Sequence, residues 1–313
     1  MEFLVAALGL IILVFAGDAL VRGAVNIALR LGIPALVVSL TVVAFGTSAP
    51  EMLVSIRATL DGAPGLALGN VVGSNIANIL LVLGVPALIS GLDMSGSDTR
   101  RSYAVMLGVT AIFIAVSAFG PIGLPHALLL LAVLALVLGD QFRDALAHRR
   151  AGEAAPEEVE EADPEMPWWK IGAFTLGGLI GLPLGANLLV TSATEIASRY
   201  GVSDSVIGLT LVAVGTSLPE LATTVMAAIR RQADVALGNV IGSNVFNLLA
   251  ILGVTGLIAP IPVDPQFLRF DLWVMAAASL LIFPFVIWQW SMTKRWGILF
   301  TALFASYIYA TIM

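Results

Sequence analysis

The chain has 313 residues, 59% hydrophobic and 12% charged, with a formal net charge of −6, no cysteine and a mean hydropathy of +0.99. Soluble domains carry about 25% charged residues, so this chain lacks the polar coat needed in water and reads as an all-α integral membrane protein. Its 15 Lys and Arg offer no basic face for nucleic acid, and the absence of Cys excludes disulfide scaffolds, thiolate metal sites and thiol catalysis.

Apolar stretches of membrane-crossing length fall at 3–21, 34–60, 65–90, 102–120, 124–140, 168–190, 204–229, 234–258, 271–290 and 296–313. A span needs about 20 apolar residues, so these predict about ten transmembrane helices. The first stretch has no basic residues ahead of its apolar run and is expected to remain as a helix rather than be cleaved as a signal peptide. Segment 141–167 is acidic, contains Ala and Pro, and cannot bury a core. It is expected to be a solvated linker between two halves, 1–140 and 168–313.

Lys and Arg gather in alternate connections: Arg22 and Arg30, Arg100 and Arg101, Arg143, Arg149, Arg150 and Lys170, Arg230 and Arg231, Lys294 and Arg295. The opposite set holds only Arg57, Arg199 and Arg269. Since basic residues collect on the cytoplasmic side, a multi-pass protein of the cell (inner) membrane is expected, with both termini outward and the 141–167 linker cytoplasmic.

GTSAPE at 46–51 returns as GTSLPE at 215–220, and ALGNVVGSNIAN at 67–78 returns as ALGNVIGSNVFN at 236–247, both offset by 169 residues. Aligned at that offset without a gap, 16–85 and 185–254 match at about 31 of 70 positions. Each half holds five predicted spans, an odd number, so the second copy enters the membrane upside down. Two inverted five-helix repeats meeting near the bilayer midplane are the architecture of secondary transporters.

Glu51 and Glu220 occupy equivalent places within otherwise apolar helices. An ionisable group at membrane depth costs about 2.5–3.5 kcal/mol on insertion scales and marks an ion or substrate pathway unless a basic neighbour explains it. No Lys or Arg lies within a turn of either Glu. Gly46 and Pro50, matched by Gly215 and Pro219, should break both helices just ahead of each Glu and free carbonyl oxygens for a ligand. Thr47 lies four residues before Glu51, and Thr216 before Glu220, so each pair shares a face. Asn70, Ser74 and Asn78, like Asn239, Ser243 and Asn247, form oxygen-bearing stripes at i, i+4, i+8. One such stripe could be helix–helix glue; four matched faces point to ions. The donors are all oxygens, which suits Ca²⁺ or Na⁺ rather than zinc or copper, with Mg²⁺ the weaker fit.

Asp18 with Arg22, and Glu195 with Arg199, read as local i, i+4 ion pairs, and His126 and His148 sit at or beyond helix ends. No GxxxxGK[ST] phosphate loop is present, so ATP is not the expected energy source.

The paired motifs GTSAPE…GNVVGSNIAN and GTSLPE…GNVIGSNVFN resemble the alpha repeats of the Ca²⁺/cation antiporter superfamily, and within it the prokaryotic sodium/calcium exchangers, over nearly the whole chain. The resemblance implies a ten-helix fold with ions between the second, third, seventh and eighth helices. It implies Ca²⁺ held by the Glu51 and Glu220 carboxylates and the carbonyls of Thr47 and Thr216. Sodium would use the Ala44 carbonyl, Thr47, Ser48, Glu51 and Ser74 on one side, and the Ala213 carbonyl, Thr216, Ser217, Glu220 and Ser243 on the other, with Asn78 and Asn247 lining the middle. Ca²⁺ and Na⁺ are then transported substrates in a lipid bilayer, with no cofactor and no enzymatic step; the sequence names no protein partner. Some relatives, the potassium-dependent ones among them, carry Asp where this chain has Asn247, so potassium use is not expected. The expected activity is Ca²⁺ export in exchange for Na⁺ by alternating access. A Ca²⁺/H⁺ antiporter with alternately protonated Glu51 and Glu220, or a cation channel with the two Glu as its constriction, are the alternatives.

Overall fold

A computed structural model describes residues 2–94, 99–151, 163, 165–199 and 213–312. Its helices in chain order are α1 (Glu2–Leu31), α2 (Ala35–Thr47), α3 (Ala49–Leu60), α4 (Pro64–Ile89), α5 (Arg100–Ala118), α6 (Leu124–Ala151), α7 (Trp168–Arg199), α8 (Ala213–Thr216), α9 (Leu218–Ile229), α10 (Ala233–Ile258), α11 (Phe267–Ile287) and α12 (Lys294–Ile312). The protein is an all-helical membrane protein. Among the described residues seven helices are long and apolar enough to cross a bilayer, or eight if α2 and α3, bent by 43° at their junction, are one span. This count is lower than the ten apolar stretches partly because of the break at Ser217, beyond which α9 runs for only 12 residues. Residues 204–212 of the predicted seventh stretch lie outside the described residues.

Local chemistry sets the ends of the site-bearing helices. The turn from α3 to α4 uses Gly62 at φ +81°, a left-handed conformation that glycine takes without cost, and Pro64 starts α4 with its ring already at a helical φ. The matching turn from α9 to α10 adopts the same hand at Arg231, with φ +54°. α6 continues to Ala151, well past the apolar stretch that ends at 140. Good helix formers fill Asp140–Ala151, and Arg101 anchors this extension by donating to both Asp140 oxygens at 2.7 and 2.8 Å and pairing with Asp144. The helix therefore takes in 141–151, the first part of the segment expected to be a solvated linker.

α4 and α10 form the centre, with α10 buried along nearly its full length. α1 and α7 lie against each other through small residues. A Cβ on Gly9 would stand 2.8 Å from the Gly185 carbonyl oxygen, and one on Gly178 would stand 2.8 Å from the Leu20 backbone. Only glycine permits that approach, the usual device where apolar lipid gives helices no hydrophobic reason to associate.

Candidate ion-binding site

The two predicted breaks fall at equivalent residues. Ser48, between α2 and α3, has φ −83° and ψ 3°; Ser217, between α8 and α9, has φ −88° and ψ 6°. Pro50 and Pro219 then sit in the first turns of α3 and α9, where a missing N–H costs nothing. Glu51 and Glu220 follow in those same first turns, where the partial positive charge of a helix N-terminus favours an anionic side chain. Both are fully buried and close enough to repel each other, and among the described residues neither has an ion pair.

Side chains from both halves converge here. Ser48 Oγ donates to Glu220 Oε1 at 3.1 Å, and Ser243 Oγ lies 3.5 Å from the same oxygen. Thr47 Oγ1 is 3.2 Å from Asn239 Oδ1, 3.4 Å from Ser243 Oγ and 3.3 Å from the Ala44 carbonyl oxygen. Asn78 Nδ2 donates to Asn244 Oδ1 at 3.1 Å. Thr216 is half-buried, and Ala213 opens α8. Of the buried polar atoms left without a hydrogen-bond partner among the described residues, most belong to this cluster: both Glu51 oxygens, Glu220 Oε2, Ser74 Oγ, Ser217 Oγ, Asn78 Oδ1, and Oδ1 and Nδ2 of Asn247. Leaving a buried polar atom unsatisfied costs about 1–3 kcal/mol, so such a concentration signals a ligand that supplies the missing partners. Hydroxyl, amide and carboxylate oxygens carrying a formal charge of −2 suit a hard cation.

Two residues of the polar stripes do something other than face an ion with a free oxygen. Asn70 Nδ2 donates to the Glu51 carbonyl at 3.1 Å and to Ser55 Oγ at 2.9 Å, and Asn239 Nδ2 donates to the Glu220 carbonyl at 3.3 Å and to Thr224 Oγ1 at 3.0 Å. The same clamp thus ties α3 to α4 and α9 to α10. Ser55 and Thr224 do not stand out in the sequence, although each follows its Glu by four residues and carries a hydroxyl in both copies. Asn244, the partner of Asn78, lies off the i, i+4, i+8 stripe and is equally inconspicuous there. Beyond each stripe the helix widens: Asn247–Ile251 is a π-helical turn, and Val82 N–H reaches back five residues to the Ala77 carbonyl in the first half. Such turns recur at functional sites because they unseat regular backbone hydrogen bonds.

The remaining residues singled out in the sequence lie outside this cluster. Asp18 pairs with Arg22 and also with Arg230; Glu195 pairs with Arg199, which also binds Glu2. His126 Nδ1 contacts the Pro121 carbonyl oxygen at 3.2 Å, at the start of α6, and the side chain of His148 lies outside the described residues.

Known proteins resemble the chain along most of its length. The family profile described as sodium/calcium exchanger protein matches residues 1–142 and 170–313. The sodium/calcium exchanger MaX1 of Methanosarcina acetivorans is 34% identical over 98% of this chain and 97% of its own length. The putative antiporter CaxA of Alkalimonas amylolytica is 39% identical over 87% of this chain and 85% of its own. A solved structure of the sodium-calcium exchanger NCX_Mj superimposes with a TM-score of 0.83 at 34% identity, covering 100% of this chain and 98% of that one.

Proposed function

The chain belongs to the sodium/calcium exchanger protein family, and from that premise we propose that it is a secondary active antiporter exporting Ca²⁺ in exchange for Na⁺ by alternating access. The observation that carries this reading is the pair of fully buried carboxylates, without a cationic partner among the described residues and ringed by unpaired oxygens from both halves. Its architecture is two inverted five-helix repeats, 1–140 and 168–313, joined by the 141–167 linker. In the cell (inner) membrane both termini face outward and the linker faces the cytoplasm.

Glu51 and Glu220 neutralise Ca²⁺, with the carbonyls of Thr47 and Thr216 completing its shell. Na⁺ occupies the flanking positions made by Ala44, Thr47, Ser48, Glu51 and Ser74, and by Ala213, Thr216, Ser217, Glu220 and Ser243, with Asn78 and Asn247 between them. An empty site of charge −2 is costly to enclose in a low-dielectric interior, so the protein changes sides only when Ca²⁺ or Na⁺ fills it. That charge balance couples the two fluxes. Two Na⁺ match one Ca²⁺ in charge; a third would carry one net charge per cycle, worth about 2.3 kcal/mol per 100 mV of membrane potential.

Ca²⁺ uptake into proteoliposomes loaded with Na⁺, K⁺ or acid tests the reading. Uptake driven by internal Na⁺ and indifferent to K⁺ is expected. Full replacement of Na⁺ by a pH gradient would assign a Ca²⁺/H⁺ antiporter, and Ca²⁺ entry with no counter-ion would assign a channel.

A further inference from the structure

Outside the ion cluster, Asp18 ties the first half to the second at the end where α9 turns into α10. Asp18, on α1, accepts a hydrogen bond from Arg230 Nε at 2.7 Å, pairs also with Arg230 Nη2, and lies 3.1 Å from Arg22 Nε on its own helix. Arg230 stands in the turn that leaves α9, so the ion pair spans the two halves. The Arg230 side chain is 13% exposed and that of Asp18 20%, which shields the attraction from solvent better than on an open surface.

The repeat makes a comparison within the chain. Moving each residue by 169 positions turns Asp18 into Asn187, Arg22 into Thr191 and Arg230 into Asp61. No cation is left in the set. Asn187 is exposed, and Asp61 is bonded to its own Arg57 at 2.8 Å.

Helix packing repeats the asymmetry. A Cβ on Gly17 would stand 3.0 Å from the Ala222 carbonyl oxygen and 3.3 Å from Met226 Cγ, so α1 lies tight on α9. The counterparts of Ala222 and Met226 on α3 are Leu53, 68% exposed, and Arg57, whose side chain is 79% exposed. Deeper in, Ser39 Oγ donates to the Val235 carbonyl at 2.7 Å and both residues are fully buried, whereas the counterpart of Val235, Leu66, is 67% exposed. The ion cluster follows suit: Ser48 and Ser243 reach Glu220, while the hydroxyls of their counterparts Ser217 and Ser74 have no partner among the described residues and do not reach Glu51. Among the described residues, the protein is closed at the end that carries the α9–α10 turn and more open at the end that carries the α3–α4 turn.

We propose that the Asp18–Arg230 pair is a one-sided latch that holds the α9–α10 end closed and biases the exchange cycle toward this arrangement. The inference rests on the alternating-access reading. When the inverted halves trade roles, the corresponding contact brings Asn187 to Asp61 and gains no ion pair. A contact present in one state and missing from the other shifts their populations by its differential free energy.

The chain has no native cysteine, so Ser39→Cys alone reports opening of the latched end through labelling by a water-soluble thiol reagent. In the full-length purified protein, Asp18→Asn and Arg230→Gln should each raise the labelling rate of that cysteine about fivefold, the shift expected of a modest, partly shielded ion pair. Arg230→Lys, which keeps the charge, should stay close to the parent. The double variant Asn187→Asp with Asp61→Arg builds the mirror latch and should also raise labelling, although the original pair is intact. Size-exclusion profiles identify any variant that fails to fold, and the mirror variant tests the idea without touching Asp18 or Arg230. Unchanged labelling in the Asn, Gln and mirror variants would overturn the latch, as would equal acceleration by Lys and Gln at position 230. Labelling requires no transport, so a protein that fails to exchange Na⁺ for Ca²⁺ yet shows these rate changes would refute the proposed function and keep the charge-dependent closure.

Discussion

Glu51→Gln replaces a fully buried carboxylate by an amide of nearly the same shape, and the two oxygens it alters have no partner among the described residues. Two effects of opposite sign follow. Without ions, the substitution removes a buried charge that also faces Glu220, so the ion-free variant should unfold at a higher temperature than the ion-free parent. With Ca²⁺, it removes one of two charges that offset the divalent ion. Loss of one member of a buried charge pair costs about 2–5 kcal/mol, which at about 1.4 kcal/mol per decade weakens binding about 30- to 4,000-fold. At a Ca²⁺ concentration of about 100 times the parent dissociation constant, bound ligand stabilises the parent by about 2.7 kcal/mol; a site about 100-fold weaker retains only about 0.4 kcal/mol. Thermal unfolding in detergent with and without Ca²⁺ reads both signs. A Ca²⁺-induced shift in Glu51→Gln as large as the parent's would refute the role given to this carboxylate. Glu220→Gln should lose the Ca²⁺ response equally but gain less without ions, because Ser48 and Ser243 already serve one Glu220 oxygen.

Asn239→Ala removes a fully buried clamp on the Glu220 carbonyl and should lower stability by about 1–3 kcal/mol together with Ca²⁺ uptake, whereas Asn70→Ala, in a half-buried setting, should cost less in a side-by-side melt. Gly242→Ala would place a Cβ 2.6 Å from Ala44 Cβ and 2.8 Å from the Leu40 carbonyl oxygen; such overpacking costs about 1–3 kcal/mol and should depress uptake, while Gly108→Ala, with nothing within 4 Å, should leave both unchanged. Asn247→Asp puts a third carboxylate where two amide atoms now have no partner and should alter the pH profile of Ca²⁺ uptake; superimposable profiles would remove residue 247 from the ion path.

Features that depend on a residue's own neighbours along the chain are legible in the sequence. Gly46–Pro50 and Gly215–Pro219 announce both helix breaks because proline and glycine act on their own backbone. Glu51 and Glu220 declare themselves by charge inside an apolar run, and the 169-residue repeat links them. What the sequence does not reveal depends on pairing across distance. Asp18 with Arg22 looks complete as an i, i+4 pair, and nothing in the pattern shows that Arg230, 212 residues on, completes the site. Ser55 and Thr224 read as ordinary small polar residues until α4 and α10 bring Asn70 and Asn239 against them. The extension of α6 to Ala151 is hidden because its polar composition resembles a linker, whereas Arg101 on α5 holds Asp140 and Asp144 in helix. Closely matching motifs also predict equal sites; the unequal surroundings of Glu51 and Glu220 come from how the halves lie against one another, which no local pattern encodes.

The central claim is that one two-carboxylate site couples the fluxes, and the most direct test counts Na⁺ release against Ca²⁺ entry in the same proteoliposomes. Vesicles loaded with Na⁺ and placed in a medium free of both ions should hold their Na⁺, release it when Ca²⁺ is added outside, and take up Ca²⁺ in fixed proportion, with both fluxes lost together in Glu51→Gln and in Glu220→Gln. Na⁺ leaving into the ion-free medium, or Ca²⁺ entering without Na⁺ release, would contradict the account.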